Sequence, residues 1–84
     1  MIGEFMRVSV IKNDEGFSPS AHLCEVYLNG EILHRCHTAD EELGVAYCYE
    51  KDANGYYITD GDHFKTVEVR GEVKIVVPIG FVPP

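Results

Sequence analysis

The sequence predicts an all-β domain: a small antiparallel barrel or sandwich of about six strands. Residues 66–77 alternate with period two, because valine and isoleucine occupy odd positions and mostly charged or polar residues fill the even ones. Short apolar runs are separated by turn residues such as Asn29-Gly30 and Asn54-Gly55. No long stretch has the helical spacing of an amphipathic helix.

The first half of the chain predicts three strands. The alternation begins at Met6 and continues to Val10, and Gly16 and Pro19 mark residues 12–20 as a loop. A second strand is expected over 21–28 and its return over 31–37. Asn29-Gly30 between them predicts a two-residue type I′ turn, which requires positive φ at both central positions.

Residues 38–44 predict a short helical turn, because Thr38 and Glu41 have capping-box spacing and Gly44 can end the turn. Strand composition resumes over 45–51 and again after the turn at 52–55. Asp60, Gly61 and Asp62 then predict a turn before the last strand. Within that strand Gly71 lies on the apolar side, where we expect a bulge or a close contact with another strand.

The chain of 84 residues is expected to form a single domain over 1–84 with a thin core. Residues 1–5 are interpreted as a remnant of an expression vector or a disordered segment, with Met1 and Met6 both open as the true start. Residues 79–84 are expected to be an irregular tail that ends in two prolines.

The charge balance narrows the class of partner. Fourteen acidic residues against seven Lys and Arg give a net charge of -7, which disfavours direct binding to nucleic acid and to anionic membranes. Three cysteines, no leader of secretory type and no long apolar run favour a reduced, cytoplasmic setting. The expected partner is another protein or a second copy of this chain.

One face of the predicted hairpin offers a metal-site hypothesis. If both strands continue in register from Asn29-Gly30, His22, Cys24 and His37 share one face at its open end. Two imidazoles and a thiol can bind zinc with a fourth group or water. Arg35 would oppose Cys24 on that face, and no CxxC or HExxH spacing occurs. Otherwise no cofactor is expected, and Cys24 is a small core residue.

The other face would pair Glu25 with His34 beside Cys36, which has the residue types of nucleophilic catalysis. His34 and Cys36 are two residues apart on one strand, so their side chains diverge. A cross-strand ion pair explains Glu25 and His34 without chemistry. We therefore predict no catalytic residue and no enzymatic activity.

Tyrosines and carboxylates form a candidate interaction surface, because exposed tyrosine beside acidic residues is typical of protein-binding patches. Its residues are Tyr47, Tyr49, Tyr56, Tyr57, Asp40, Glu41, Glu42, Asp60 and Asp62. Cross-strand aromatic packing is the structural alternative for the tyrosines. The five acids could also mimic phosphates and inhibit a nucleic-acid-binding host protein.

The string from "VYLNG" through "CHTADEELGVAYCYEKDANG" to "DGDHFKTVEVRGEVKI" resembles small proteins of unassigned role in tailed bacteriophages and prophages, often encoded near head-morphogenesis genes. The shared features are turns and strands over about residues 23–77. The resemblance implies a mobile-element origin and a small β fold, and it transfers no catalytic or ligand residue. We therefore expect a non-enzymatic accessory or structural protein, homo-oligomeric, in the bacterial host cytoplasm or on the virion.

Overall fold

The structure, a computed structural model, describes residues 5–83, and its architecture confirms the all-β prediction. The prediction for residues 1–5 therefore falls almost wholly outside the described residues, as does Pro84 of the expected tail. The strands are β1 (Arg7–Ser9), β2 (Glu25–Leu28), β3 (Glu31–Leu33), β4 (Cys36–Asp40), β5 (Val45–Tyr49), β6 (Thr59–Asp60), β7 (His63–Phe64), β8 (Thr66–Arg70) and β9 (Val73–Val76).

These strands form two principal antiparallel sheets and a small hairpin. The order is β1-β4-β5-β8 in the four-stranded sheet and β3-β2-β9 in the three-stranded sheet, and β6 pairs with β7 in a separate hairpin. The two larger sheets do not close into a barrel. They contribute to one core, with Val8, Ala39 and Ala46 from the first sheet and Val26 and Val73 from the second. This is a sandwich arrangement.

The hairpin prediction at Asn29-Gly30 is confirmed. Both turn residues have positive φ, 53° and 87°, as a type I′ turn requires. Val26 pairs with Leu33 and Leu28 with Glu31, which is the predicted register.

The register fails where the hairpin was extended beyond these pairs. Arg35 has a φ of 65°, which ends β3 and sends the chain to the other sheet as β4. The Arg35 carbonyl accepts a hydrogen bond from the Tyr49 N–H at 2.9 Å. The Nε of the Arg35 side chain donates a second hydrogen bond to the Tyr49 carbonyl at 3.2 Å. These contacts hold a backbone conformation that is otherwise costly for arginine.

On the opposite strand, residues 21–23 form a single 3-10 turn instead of continuing β2. The predicted opposition of Cys24 to Arg35, the pair Glu25–His34 and the shared face of His22 and His37 are therefore wrong.

The helical turn predicted over 38–44 is also wrong in its position. Thr38, Ala39 and Asp40 are buried in β4, and a tight turn over 41–44 leads into β5. Asp40 rather than Thr38 caps this turn, because its Oδ1 accepts a hydrogen bond from the Leu43 N–H at 2.8 Å. The Thr38 hydroxyl is instead 2.7 Å from the hydroxyl of Ser9 on β1.

The long last strand is divided at Gly71, where the chain passes from the first sheet to the second. A Cβ on Gly71 would lie 2.8 Å from the Asn29 side chain and 3.0 Å from Leu28 Cδ1. The expected close contact with another strand is thus confirmed. Asn29 Oδ1 also accepts a hydrogen bond from the Glu72 N–H at 2.9 Å, which joins the hairpin turn to this corner.

The core is thin, as the chain length predicts. Its fully buried apolar side chains are none larger than valine: Val8, Ala21, Val26, Ala39, Val45, Ala46, Cys48 and Val73. The molecule measures 44 × 26 × 21 Å. Within residues 5–83, no helix is both long and apolar enough to cross a membrane.

Candidate functional site

Aromatic rings gather on the outer face of the four-stranded sheet. Because side chains alternate along β5, Tyr47 and Tyr49 face outward while Ala46 and Cys48 face the core. The Tyr49 ring centroid lies 6.0 Å from that of Tyr57 and 5.7 Å from that of Phe64. Tyr57 and Phe64 are 5.2 Å apart. We call Tyr47, Tyr49, Tyr57, Phe64 and His37 the aromatic cluster.

The outer members of the aromatic cluster are open to solvent. Tyr57 is 42% exposed and Phe64 50%, while Tyr47 and Tyr49 are half-buried. The Lys51 ammonium lies 4.9 Å from the Tyr57 ring centroid, a cation–π arrangement. Tyr56, the fourth predicted tyrosine, is 72% exposed. The rings contact one another, as the packing alternative expects, and several are also exposed. Their role as an interaction surface stays a prediction.

His37 joins the aromatic cluster because of a β-bulge. Cys36 pairs with Cys48 and Thr38 with Tyr47, so His37 is an extra residue between the two pairs. Its ring lies 4.7 Å from the Tyr49 ring.

Both ring nitrogens of His37 are engaged. Nδ1 is 2.8 Å from Thr38 Oγ1 and Nε2 is 3.2 Å from Thr66 Oγ1. Burial lowers the pKa of this imidazole, so the environment favours its neutral form.

A groove of about 300 Å³ opens beside the aromatic cluster. Its lining combines apolar and aromatic side chains with an acid and two histidines: Ile11, His37, Tyr49, Asp62, His63, Phe64 and Thr66. Asp62, predicted in the acidic part of the interaction surface, therefore lies at the edge of the aromatic cluster.

The three proposed metal ligands lie on different elements. His22 is exposed on the 3-10 turn, Cys24 follows that turn half-buried, and His37 is in the bulge of β4. All three reach the wall of one cavity of about 250 Å³. Burial raises the pKa of Cys24, which disfavours the thiolate that binds zinc.

Among residues 5–83, no three side chains of His, Cys, Asp or Glu converge in an arrangement that could hold a metal ion. Zinc binding by His22, Cys24 and His37 stays a prediction. The shared hairpin face on which this prediction was based is not formed, because the three residues lie on different elements.

Two of the predicted surface acids have internal roles. Asp40 is buried and its Oδ2 accepts a hydrogen bond from Arg7 Nη1 at 3.2 Å. Glu41 Oε1 accepts from the Met6 N–H at 2.9 Å, and its Oε2 accepts from the Ile75 N–H at 2.8 Å. Glu41 thereby connects the β1 end of one sheet to β9 of the other.

Glu42 and Asp62 are exposed acids, and the side chain of Asp60 lies outside the described part of the structure. Phosphate mimicry by the five acids stays a prediction, but Asp40 and Glu41 are committed to contacts inside the chain.

The sequence reasoning missed a cysteine pair. Cys36 and Cys48 are directly opposed on β4 and β5, and their Sγ atoms are 3.5 Å apart. The expected burial of Cys48 is confirmed. Reading residues 41–44 as a tight turn between two strands would have brought Cys48 opposite His37 and next to Cys36, and the bulge at His37 then places the two cysteines directly opposite each other.

Comparisons of the chain with protein-family models, with curated proteins and with solved structures find no significant match.

Proposed function

We propose that this chain is a non-enzymatic component of a protein assembly and that it acts by self-association through the aromatic cluster. One observation carries the proposal: no fully buried apolar side chain is larger than valine, while many larger apolar side chains are exposed. Exposed large apolar side chains include Phe5, Leu23, Ile32, Leu43, Tyr56, Tyr57, Phe64, Val76 and Ile79. Large exposed apolar patches are typical of protein–protein contacts.

The size of the surface supports the same proposal. The accessible surface is 5910 Å² for a mass of 9.4 kDa. A folded monomer of this mass typically exposes about 5,000 Å². Association between copies would cover this excess accessible surface and bury apolar area that the thin core does not provide. Small domains often gain stability by oligomerising in this way.

The aromatic cluster is the part of this surface best suited to the centre of a contact. Tyr57 and Phe64 are partly exposed rings that neighbouring rings already hold in place, so binding would order few new side chains. Aromatic side chains are enriched among the residues that dominate binding energy. The groove beside them can receive a side chain from a partner copy.

The sheet edges favour contact through side chains over the addition of a strand. β8 is an edge strand whose exposed Glu68 and Arg70 form an ion pair at 2.5 Å. On β9 the Ile75 N–H is bonded by the Glu41 carboxylate. Charged residues and occupied N–H groups at an edge oppose edge-to-edge pairing.

One double variant and one single control variant test the proposal. In the variant Tyr57→Ser/Phe64→Ser we expect the oligomer measured by light scattering after size exclusion to dissociate. The control Leu43→Ser removes a side chain that is 63% exposed at the other end of β5, and it should leave the oligomer intact. Equal oligomeric states in both variants would refute the role of the aromatic cluster. Circular dichroism checks that each variant folds.

The cellular setting follows from the sequence resemblance alone. We propose a bacterial cytoplasm, or a virion, as the place where this assembly works, in line with the similarity to phage and prophage proteins. A partner other than a second copy would carry positive charge, because the chain has a net charge of -7. Binding to such a partner would weaken as salt increases, whereas salt would strengthen self-association by screening repulsion between like-charged copies.

A further inference from the structure

The cysteine pair of β4 and β5 has the geometry of a dithiol. Cys36 and Cys48 are opposed in register, point into the sandwich and hold their Sγ atoms 3.5 Å apart. Cys48 is buried and Cys36 half-buried. The third cysteine, Cys24, precedes β2 in the other sheet and provides an internal control.

The backbone around the pair is compatible with a covalent link. The Tyr49 N–H donates to the Arg35 carbonyl at 2.9 Å, one residue beyond the pair on each strand. Cys36 and Cys48 thus face each other as a non-hydrogen-bonded pair, whose Cα atoms are typically about 4.5 Å apart. Disulfides span Cα separations of about 4.4 to 6.8 Å, so rotation of the side chains can join the sulfurs without separating the strands.

The two thiols also differ in acidity. The hydrogen bond with Cys36 and the charge of Arg35 lower the pKa of the Cys48 thiol to about 7. The same hydrogen bond and burial raise the pKa of Cys36. This difference favours a thiolate beside a thiol in the pair, which is the reactive state of a dithiol. Among residues 5–83, no hydrogen bond joins the Cys24 thiol to another cysteine, and burial raises its pKa.

A small reagent has a route to the pair. Cys36 lines the cavity of about 250 Å³ that lies between the hairpin and β1. Val8, Leu33 and Cys24 also line this cavity, so an uncharged molecule of a few heavy atoms can approach the Cys36 sulfur.

We propose that Cys36 and Cys48 are a redox-active dithiol that closes reversibly into a cross-strand disulfide on reaction with a small-molecule disulfide. As the Cys36 sulfur attacks one sulfur of the reagent, its proton passes to the neighbouring Cys48 thiolate, so that a mixed disulfide forms at Cys36 and one small thiolate is released. The second cysteine loses its proton to solvent and attacks the protein-bound sulfur, which releases the second small thiolate. Two cysteine thiols are oxidised to one disulfide, and the reagent is reduced to two small thiols.

Peptide mapping tests this proposal without any substitution. The full chain is equilibrated with 2-hydroxyethyl disulfide and 2-mercaptoethanol at a series of ratios, quenched with acid and alkylated. Trypsin leaves Cys36 and Cys48 in one peptide, residues 36–51, and Cys24 in another, residues 13–35. We expect peptide 36–51 to lose two hydrogen atoms and resist alkylation while Cys24 stays alkylated, and excess 2-mercaptoethanol to reverse the change.

Cleavage after Glu41 or Glu42 separates the two cysteines in sequence, so a disulfide would hold the fragments together. Cys24→Ser should retain the bond, and Cys36→Ser should abolish it. The proposal is overturned if Cys24 enters the disulfide, if oxidation links separate chains, or if the pair stops at mixed disulfides with the reagent.

Discussion

Replacing Glu41 by alanine should destabilise the protein by about 3 kcal/mol. Its carboxylate accepts hydrogen bonds from the Met6 N–H at 2.9 Å and the Ile75 N–H at 2.8 Å, so one side chain connects the two sheets. Hydrogen bonds to a charged group contribute about 1.5 to 3 kcal/mol each. Both bonds are only partly buried, which places the expected loss at the lower end of the sum of the two.

Urea unfolding at pH 7 measures this loss, with two controls. Glu41→Gln keeps one carbonyl oxygen and should lose about half as much. Glu42→Ala removes the neighbouring exposed acid and should change the free energy of unfolding by less than about 0.5 kcal/mol. Equal unfolding midpoints for Glu41→Ala and Glu42→Ala would show that Glu41 does not stabilise the contact between the two sheets, and it would then count as a surface acid like Glu42.

Three further results are expected. In a Cys24→Ser background, the disulfide between Cys36 and Cys48 should raise the free energy of unfolding by about 3 kcal/mol, because it closes a short loop between cysteines 12 positions apart. Equal urea midpoints with and without reductant would contradict this expectation. The hydrogen-bonded guanidinium of Arg7 lowers the pKa of Asp14, so the stability from this pair should be complete above the ordinary Asp pKa of about 4 and be lost as pH falls through the lowered value. As the pH is lowered, the urea midpoint should therefore decrease less for Asp14→Asn than for the wild type. An equal decrease in both proteins would contradict the stabilising role of the Arg7–Asp14 pair. Gly44→Ala should cost more stability than Gly55→Ala, because both glycines have positive φ but only a Cβ at 44 would meet a backbone oxygen, at 2.7 Å; thermal unfolding of both variants decides this.

Local turn chemistry made the hairpin predictable. Asn29-Gly30 supports positive φ at two successive residues, and this alone fixes the pairing of Val26 with Leu33. The expected close approach at Gly71 followed from a missing side chain on the apolar side of a strand. The hairpin turn is set by two residues adjacent in sequence, whereas the partners of Gly71 lie in β2 and in the hairpin turn and needed the structure to be identified.

The change of sheet at Arg35 could not be predicted in the same way. Arginine has no intrinsic preference for positive φ, and the conformation depends on bonds to Tyr49, which is 14 residues away. Once the chain turns there, Cys36 pairs with Cys48, and the bulge directs His37 to the aromatic cluster. The metal-site hypothesis depended on uninterrupted alternation through these positions.

The candidate site was predictable in composition and not in arrangement. Tyr49, Tyr57 and Phe64 were identified from their residue type, whereas His37 joined them only through the bulge of β4. Asp40 resembled its acidic neighbours in sequence. Its burial follows from its place in β4 beside Arg7, a contact between residues 33 positions apart.

Sedimentation velocity of the wild-type chain over a concentration series, at low and high salt, tests self-association most directly. The account predicts a mass above the 9.4 kDa of one chain, increasing with concentration and with salt as the repulsion between copies of charge -7 is screened. A mass of one chain at every concentration and both salt levels would contradict it.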